Sequence, residues 1–243
     1  MRLEGTMNAT PTITLCLLTF NELEGCRHDL PHLPLDHFDA VYALDGGSRD
    51  GTDTFLREQG ITVHTQQKAG YNAAYLEAFA HCQTDVLVLF HPKGCIDPQS
   101  VLNFKPLFQA GNDLVIASRL GPGAHNEEDE QLLKPRKWFV QGISILAALL
   151  WRRDRGPHLW DVLHGMRGMR VAAFHAIAPR DHGLSIDLEM VVRSYRLKLK
   201  RAAFPVHERT RLAGQTHFKA LPTGWKLLKY MASELCRPKT EPR

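Results

Sequence analysis

The 243-residue chain lacks several features that would place it in common protein classes. Its five cysteines form no Cys-x-x-Cys pair and are odd in number, which favours reduced thiols over a disulfide framework. Residues 1–10 are polar and contain no apolar stretch typical of a secretory signal. The longest apolar run, residues 143–151, is far shorter than the roughly 20 residues that cross a bilayer. These absences predict a cytoplasmic protein without a membrane span.

Two glycine-rich nucleotide motifs are also absent. No Gly-x-Gly-x-x-Gly follows the first apolar segment, which excludes a typical Rossmann oxidoreductase. No Gly-x₄-Gly-Lys-Ser/Thr occurs anywhere, which excludes a P-loop NTPase. No known nucleic-acid-binding module is recognisable, so we expect no nucleic-acid partner.

Positive charge is concentrated near the C-terminus. Residues 193–243 carry 13 Lys/Arg and three Asp/Glu, whereas the first 192 residues carry 17 and 23. Such an excess favours phosphate groups or anionic lipid, although a solvated basic face explains it equally. A composition of 44% hydrophobic and 23% charged residues allows one substantial core.

Apolar strands and helical patterns alternate along the first half of the chain. Helices are predicted over 52–58 and 71–82, and buried strands over 13–20, 41–44, 61–64, 85–90 and 114–117. This alternation predicts an α/β fold with a mostly parallel central sheet and helices on both faces. We place the main domain at 12–207. A basic extension over 208–243 is expected to meet the acceptor or a membrane surface.

One later helical segment, residues 138–151, has an apolar centre between basic flanks. Lys134, Arg136 and Lys137 precede it, and three further arginines follow it. Aromatic and basic residues at the ends of an apolar helix fit a helix that lies at a membrane interface. An ordinary core helix with basic ends fits the pattern equally well.

Three segments of the first half carry a family resemblance. Residues 18–22 (LTFNE), 44–52 (LDGGSRDGT) and 68–74 (KAGYNAA) resemble, in order and spacing, successive motifs of the family 2, GT-A fold glycosyltransferases. Residues 117–119, 161–167, 185–189 and 205–217 resemble later segments of the dolichyl-phosphate mannose synthase branch, the last as a basic acceptor-side strand and loop. The resemblance covers roughly residues 13–230.

The resemblance implies inverting transfer of a hexose from a nucleoside diphosphate sugar to an acceptor such as a polyprenyl phosphate. In the family an acid after the first strand and an Asp after the second hold the nucleotide, which here are Glu22 and Asp45. Carboxylates accept hydrogen bonds from base N–H groups and ribose hydroxyls, so both residue types suit that task. The same motifs supply the remaining expected donor-binding residues: Thr19, Asn21, Gly47, Ser48, Lys68, Gly70 and Asn72.

The fourth strand ends in a departure from the family pattern. The family carries Asp-x-Asp there to hold Mg²⁺ or Mn²⁺, whereas this chain has His91-Pro92-Lys93. A hard divalent ion prefers oxygen ligands and is repelled by a lysine, so a metal cofactor is doubtful and only His91 and Asp97 remain as weak candidate ligands. Three interpretations stay open: Lys93 replaces the metal, the protein binds without turnover, or the donor differs.

Basic residues are expected to bind the phosphate groups of donor and acceptor. Lys93 and Arg119 are predicted to stabilise the leaving diphosphate, and the set expected to bind donor or acceptor phosphate also includes His91, Arg136, Arg209 and Arg211. A hydroxyl acceptor would need a carboxylate base, for which Asp161 and Glu189 are predicted, with Asp187 as a further choice.

The protein is expected in the cytoplasm, peripherally on the inner face of the membrane, and a homo-oligomer is compatible with the sequence. The rival hypothesis is a catalytically degenerate GT-A protein.

Overall fold

Seven strands form one sheet in the computed structural model, which describes residues 10–212 and 220–237. The strands are β1 (Ile13–Thr19), β2 (Ala40–Asp45), β3 (Thr62–Thr65), β4 (Val86–Phe90), β5 (Leu114–Ser118), β6 (Arg167–Arg170) and β7 (Arg201–Pro205). Their order across the sheet is β3-β2-β1-β4-β6-β5-β7. Only β6 runs against its neighbours, antiparallel to β4 and β5, so the sheet is mostly parallel as predicted.

Helices cover both faces of this sheet. They are α1 (Leu23–Asp29), α2 (Thr52–Glu58), α3 (Tyr71–His81), α4 (Phe104–Gln109), α5 (Pro135–Trp151), α6 (Val171–Ile177), α7 (Ile186–Arg196) and α8 (Ala220–Leu235). Short 3₁₀ turns occupy Leu30–His32, Leu35–His37 and Pro98–Asn103. None of the described helices is long and apolar enough to cross a bilayer.

Successive side chains of the strands point to opposite faces of the sheet, where they join two separate hydrophobic cores. Cys16 and Leu18 of β1 join the core under α3, α5, α6, α7 and α8, whereas Leu15 and Leu17 join the core under α1, α2 and α4. This period of two is the pleat of a strand buried on both sides. Helix α8 contributes Leu227 to the first core, so the expected basic extension packs its helix against the sheet domain.

The first five strands lie where the apolar runs predicted them, within two residues at each end. Strands β6 and β7 were not predicted, because Arg167, Arg170 and Arg201 interrupt their apolar character. Of the strand and loop expected over residues 205–217, Pro205 is the last residue of β7, and residues 206–212 form a loop with a bridge between His207 and His125. Residues 213–217 lie outside the described residues.

The strand ends that are followed by polar side chains lie together at one edge of the sheet. The carboxyl ends of β1, β2, β4 and β5 lie there, together with the first residue of β6, Arg167, which pairs with Leu89 and Ile116. In open α/β sheets, ligands bind outside the carboxyl ends of the strands. This edge therefore holds the candidate site.

Candidate active site

The turn after β2 is organised by the carboxylate of Asp45. It accepts hydrogen bonds from Thr19 Oγ1 at 2.9 Å, from the Gly47 and Ser48 backbone N–H groups at 2.9 and 2.7 Å, and from Ser48 Oγ at 2.6 Å. Gly47 has a φ of 86°, which an L side chain rarely adopts. Asp45 is buried, so it shapes the predicted nucleotide loop from within.

The turn after β1 locks onto the same loop. Asn21 has a φ of 54°, a region that Asn tolerates better than most residues. Its backbone N–H donates to Ser48 Oγ, and its side-chain oxygen accepts from Arg49 N, both at 2.8 Å. Glu22 is buried and forms an ion pair with Arg211 at 2.5 Å. The two turns predicted to hold the nucleotide are therefore one hydrogen-bonded unit.

The third predicted donor motif lies at the start of α3. Lys68 is exposed and pairs with Asp181 at 2.5 Å, and Gly70 precedes the helix with a φ of 127°. Asn72 is fully buried; its amide donates to Arg180 O at 3.1 Å and accepts from Ile186 N at 3.0 Å. The donor-binding role predicted for Asn72 does not fit this position, because its side chain fastens α3 to the first residue of α7 and to the segment before that helix.

A cavity of about 660 Å³ opens beside these turns. One part of its wall is basic and comes from Lys93, Arg119 and Arg211. The other part is apolar and comes from the first turns of α5 and α8, where Phe139 packs against Gly224. The cavity thus combines an anion-binding end with an apolar end.

Arg119 is held at the basic end by two carboxylates. Its guanidinium donates to both oxygens of Asp161, at 2.7 and 3.1 Å, and to Glu208 at 3.0 Å. Burial alone would raise the pKa of Asp161, but the adjacent Arg119 brings it down to about 2. Asp161 is therefore an ionised partner of Arg119, which does not fit the predicted role of general base. Arg119 lines the cavity as predicted, in a fixed orientation.

The residues in place of the Asp-x-Asp do not fit a divalent ion. His91 lines the cavity, but a Cβ on Gly165 would lie 2.5 Å from its Nε2, so main chain already packs against that nitrogen. Burial and the Lys93 charge hold the pKa of His91 well below its usual range. Asp97 instead accepts a hydrogen bond from Gln99 N and begins a 3₁₀ turn. Within residues 10–212 and 220–237, no group of three His, Cys, Asp or Glu side chains is placed to hold a metal.

Asp187 and Glu189 begin the same helix but have different surroundings. Asp187 lines the cavity and accepts hydrogen bonds from Tyr71 and Tyr75 at 2.9 and 2.8 Å, and it pairs with Arg167 at 3.1 Å. Burial, reinforced by the Asp187 charge, raises the pKa of both tyrosines well above 10, so they stay protonated as donors.

Glu189 instead faces the interior between α7 and α8. It is fully buried and pairs with Arg193 at 3.0 Å. The base role predicted for Glu189 does not fit this structural position. Among the three acids weighed from the sequence, Asp187 is the one that reaches the cavity.

The basic residues expected at the phosphates are only partly brought together. Arg136 lines the cavity at its rim and pairs with Glu127 at 2.8 Å. Arg209 is exposed and does not line the cavity, although its backbone N–H donates to Cys95 O at 2.8 Å. That contact holds the 209–212 segment over the loop after β4 and places Arg211 inside the cavity.

The sequence did not predict the residues that position the side chains of the candidate site. Tyr71, Tyr75 and Arg167 position Asp187, and Glu208 positions Arg119. Tyr71 and Arg167 lie within motifs that the sequence singled out, so their place in a motif was the available signal. Glu208 also lies within a motif, that of residues 205–217, but its partner Arg119 is 89 residues away. Tyr75 had no such signal, and its partner Asp187 is 112 residues away.

Comparison with known proteins places this geometry in a family. The sequence model described as Glycosyl transferase family 2 matches residues 14–178, more than half of the chain. Glycosyltransferase AglJ of Haloferax volcanii is 24% identical over 200 residues, which cover 79% of this chain and 61% of that protein. The low-salt glycan biosynthesis hexosyltransferase Agl6 of the same organism is 21% identical over 241 residues, which cover 94% and 55%. The chain thus spans less than two thirds of either relative.

Solved structures share the fold. Glucosyl-3-phosphoglycerate synthase from Mycobacterium tuberculosis, crystallised with Mn²⁺, UDP-glucose and phosphoglyceric acid, superposes with a TM-score of 0.70 at 17% identity, covering 94% of this chain and 81% of that one. The same enzyme with Mg²⁺ and UDP gives a TM-score of 0.67 at 17% identity, covering 94% and 80%. At this identity the likeness concerns the GT-A fold alone. With its sheet, its motifs and the match over residues 14–178 in agreement, the chain belongs to glycosyltransferase family 2.

Proposed function

We propose that the protein transfers a hexose from a nucleoside diphosphate sugar to the phosphate of a polyprenyl phosphate, with inversion, at a membrane surface and with little or no need for a divalent metal. The observation that carries the proposal is the cavity, whose basic end adjoins the nucleotide turns and whose apolar end lies between α5 and α8. An amphipathic phosphate suits both ends. The family membership supports the sugar transfer.

The donor half of the proposal rests on the two turns after β1 and β2. Backbone groups around Gly47 and the carboxylate of Glu22 lie at the sheet edge where nucleotides bind in α/β folds. The ion pair between Glu22 and Arg211 joins this edge to the cavity. A nucleoside bound at the turns would direct its diphosphate toward the basic end.

The chemistry needs no general base when the acceptor is a phosphate. An acceptor oxygen, already anionic, attacks the anomeric carbon from the face opposite the diphosphate; that new C–O bond forms as the bond to the diphosphate breaks, and the electron pair leaves with the nucleoside diphosphate. Arg119 is fixed by Asp161 and Glu208, so its guanidinium is preorganised for negative charge on either phosphate. For a hydroxyl acceptor, Asp187 is the acid that reaches the cavity, but its pairing with Arg167 and the hydrogen bonds from two tyrosines make it a weak base, which favours the phosphate acceptor.

The outer face of α5 supports the membrane part of the proposal. Trp138, Ile145, Leu146 and Leu149 recur at helical spacing on the solvent side, and Leu149 is 68% exposed. A helix of a soluble domain normally presents polar residues on that side. Arg153, just beyond the end of α5, is exposed and donates to Leu149 O at 3.1 Å, which places a positive charge beside the stripe, as expected of a helix lying on an anionic bilayer.

Helix α8 has a matching outer stripe beside the cavity. Trp225 is 61% exposed and Leu228 is 38% exposed, and Lys229 lies over the Trp225 ring at 5.4 Å. Because Trp225 and Leu228 also line the cavity, its apolar end opens beside this stripe. A lipid chain in a bilayer would therefore reach the cavity without crossing water.

Turnover is the direct test of the proposal. Purified protein is mixed with UDP-, GDP- and other nucleoside diphosphate sugars and with polyprenyl phosphate in anionic liposomes, and glycolipid is detected by mass spectrometry. We expect one donor to give product, and Arg119→Lys to reduce the rate because a lysine cannot make the forked contacts. Selective binding of a sugar nucleotide without product from any acceptor would favour the degenerate GT-A alternative.

Liposome flotation tests the membrane face separately. We expect salt-sensitive binding to vesicles that contain phosphatidylglycerol, weakened by Leu149→Ser and by Arg153→Glu. Lys105→Glu, an equal charge change on α4 and therefore on the opposite face of the sheet, is the matched control. Equal flotation of Arg153→Glu and Lys105→Glu would refute the proposed orientation.

A further inference from the structure

We propose that Lys93, with Arg211 beside it, replaces the divalent ion by pairing directly with the donor diphosphate. The inference rests on the proposed function, since it assigns the counter-ion of the same donor site. It starts from the disagreement between a family pattern of two acids and the His91-Pro92-Lys93 sequence found here.

The fold places both cations at one spot. Lys93 lies in the loop after β4 and lines the cavity. The 209–212 segment crosses that loop, with Leu212 N bonded to Lys93 O at 3.5 Å and the Leu212 side chain against Gly94. Arg211, the preceding residue, therefore enters the cavity beside Lys93, and their charges influence one another.

Among the described residues, no carboxylate lies within ion-pair distance of Lys93, which distinguishes it from the other cations of the cavity. Arg119 is engaged by Asp161 and Glu208, and Arg136 pairs with Glu127. Within the described part of the chain, no oxygen accepts a hydrogen bond from Lys93 Nζ.

Removal from water, and then the neighbouring Arg211, lower the pKa of Lys93. Lys93 is partly buried, and an ammonium held beside Arg211 at a cavity wall, without an acceptor among the described residues, favours an anionic ligand. A bound diphosphate would supply the missing oxygens.

The arrangement can do the electrostatic part of a metal's work. The leaving nucleoside diphosphate gains negative charge as its bond to the sugar breaks, and an ammonium and a guanidinium that already face it stabilise that charge without reorganisation. Charge-assisted hydrogen bonds to phosphate are short and strong. The step moves no proton, because the two side chains act on the diphosphate only through their charge and their hydrogen bonds.

Calorimetric titration of the full chain tests the inference with three probes: inorganic pyrophosphate, nucleoside diphosphates and the corresponding nucleosides. Each is measured with Mn²⁺ and with EDTA. We expect pyrophosphate and one diphosphate to bind in EDTA, and Lys93→Ala to weaken both by roughly 10- to 100-fold while sparing the nucleoside. Lys105→Ala, an exposed lysine on α4, is the matched control.

A second variant exchanges the proposed cation for the acids of the family pattern. His91→Asp combined with Lys93→Asp restores the family's two acids, and we expect its diphosphate binding to require Mn²⁺. Loss of wild-type pyrophosphate binding in EDTA, or an unchanged pyrophosphate affinity in Lys93→Ala, would overturn the inference. Absence of nucleoside binding with pyrophosphate binding intact would instead overturn the donor site and leave the cation pair standing.

Discussion

Acidification should destabilise this protein through His164, a buried histidine at the cavity wall. Its Nδ1–H donates to the Ala117 carbonyl, and it lies near the Arg119 guanidinium. Burial, assisted by the Arg119 charge, lowers the pKa of His164 to about 4. The unfolded chain, with an ordinary histidine pKa near 6.5, then binds the proton more tightly than the folded chain. Stability from the neutral ring is complete above pH 6.5 and is lost as the pH falls toward 4.

The size of the effect follows from these two values. Between pH 8 and pH 5, protonation of the unfolded state should cost about 2 kcal/mol of unfolding free energy. For a chain of this length that corresponds to a fall in Tm of about 4 to 8 °C. Other buried histidines, His91 among them, add to the wild-type slope, so the contribution of His164 is the difference between wild type and a variant.

His164→Asn supplies that difference, because an Asn amide can still donate to the Ala117 carbonyl but does not titrate. Urea unfolding at half-unit steps from pH 8 to pH 5 should give a slope for the variant that is shallower by about 2 kcal/mol over the range. His175→Asn, which removes an exposed histidine on α6, should match wild type. Parallel curves for wild type and His164→Asn would refute the assignment of a low pKa to this ring.

Three further outcomes are expected. Asp161→Asn should lower the free energy of unfolding by about 3 kcal/mol in urea titrations, because Arg119 would keep only Glu208 as an ionic partner. Gly165→Ala should lower it by about 1 to 3 kcal/mol, since the new Cβ would lie 2.5 Å from His91 Nε2; a variant as stable as wild type would contradict that packing. Lys93→Met should raise the Tm by a few degrees while weakening diphosphate binding, because it removes a partly buried charge that the neighbouring Arg211 repels. A lower Tm for Lys93→Met would contradict this account.

The sheet was predictable where its strands are apolar on both faces. β1 and β4 are buried over their whole length. The glycine-rich turn after β2 predicted that ligands bind at the edge of the sheet formed by the carboxyl ends of these strands. β6 escaped prediction because Arg167 interrupts its apolar pattern and is buried through hydrogen bonds rather than by apolar neighbours. It donates to the backbone oxygens of His164 and Asp187, which no local pattern reveals.

The site was predictable by residue type but only partly by role. Lys93, Arg119 and Arg211 line the cavity, and the roles predicted for them toward phosphate stay predictions. Glu189 and Asp161 carry the right chemistry for a base, yet arginines pair with both. Asp161 and Arg119 are 42 residues apart, whereas Glu189 pairs with Arg193 one turn along α7 and is fully buried. Charged residues are thus located by sequence motifs, whereas their availability depends on partners that the sequence does not place.

The antiparallel insertion of β6 also constrains how the chain is built during synthesis. β1, β2, β3 and β4 can pair as soon as they emerge, but the outer edge of β4 stays open until residues 167–170 follow, some 80 residues later. An open apolar edge is prone to pair with other chains, and long-range pairing slows folding. We therefore expect nascent chains that stop before Arg167 to aggregate, and the cavity, which needs loops from both strands, to be completed among the last steps of folding.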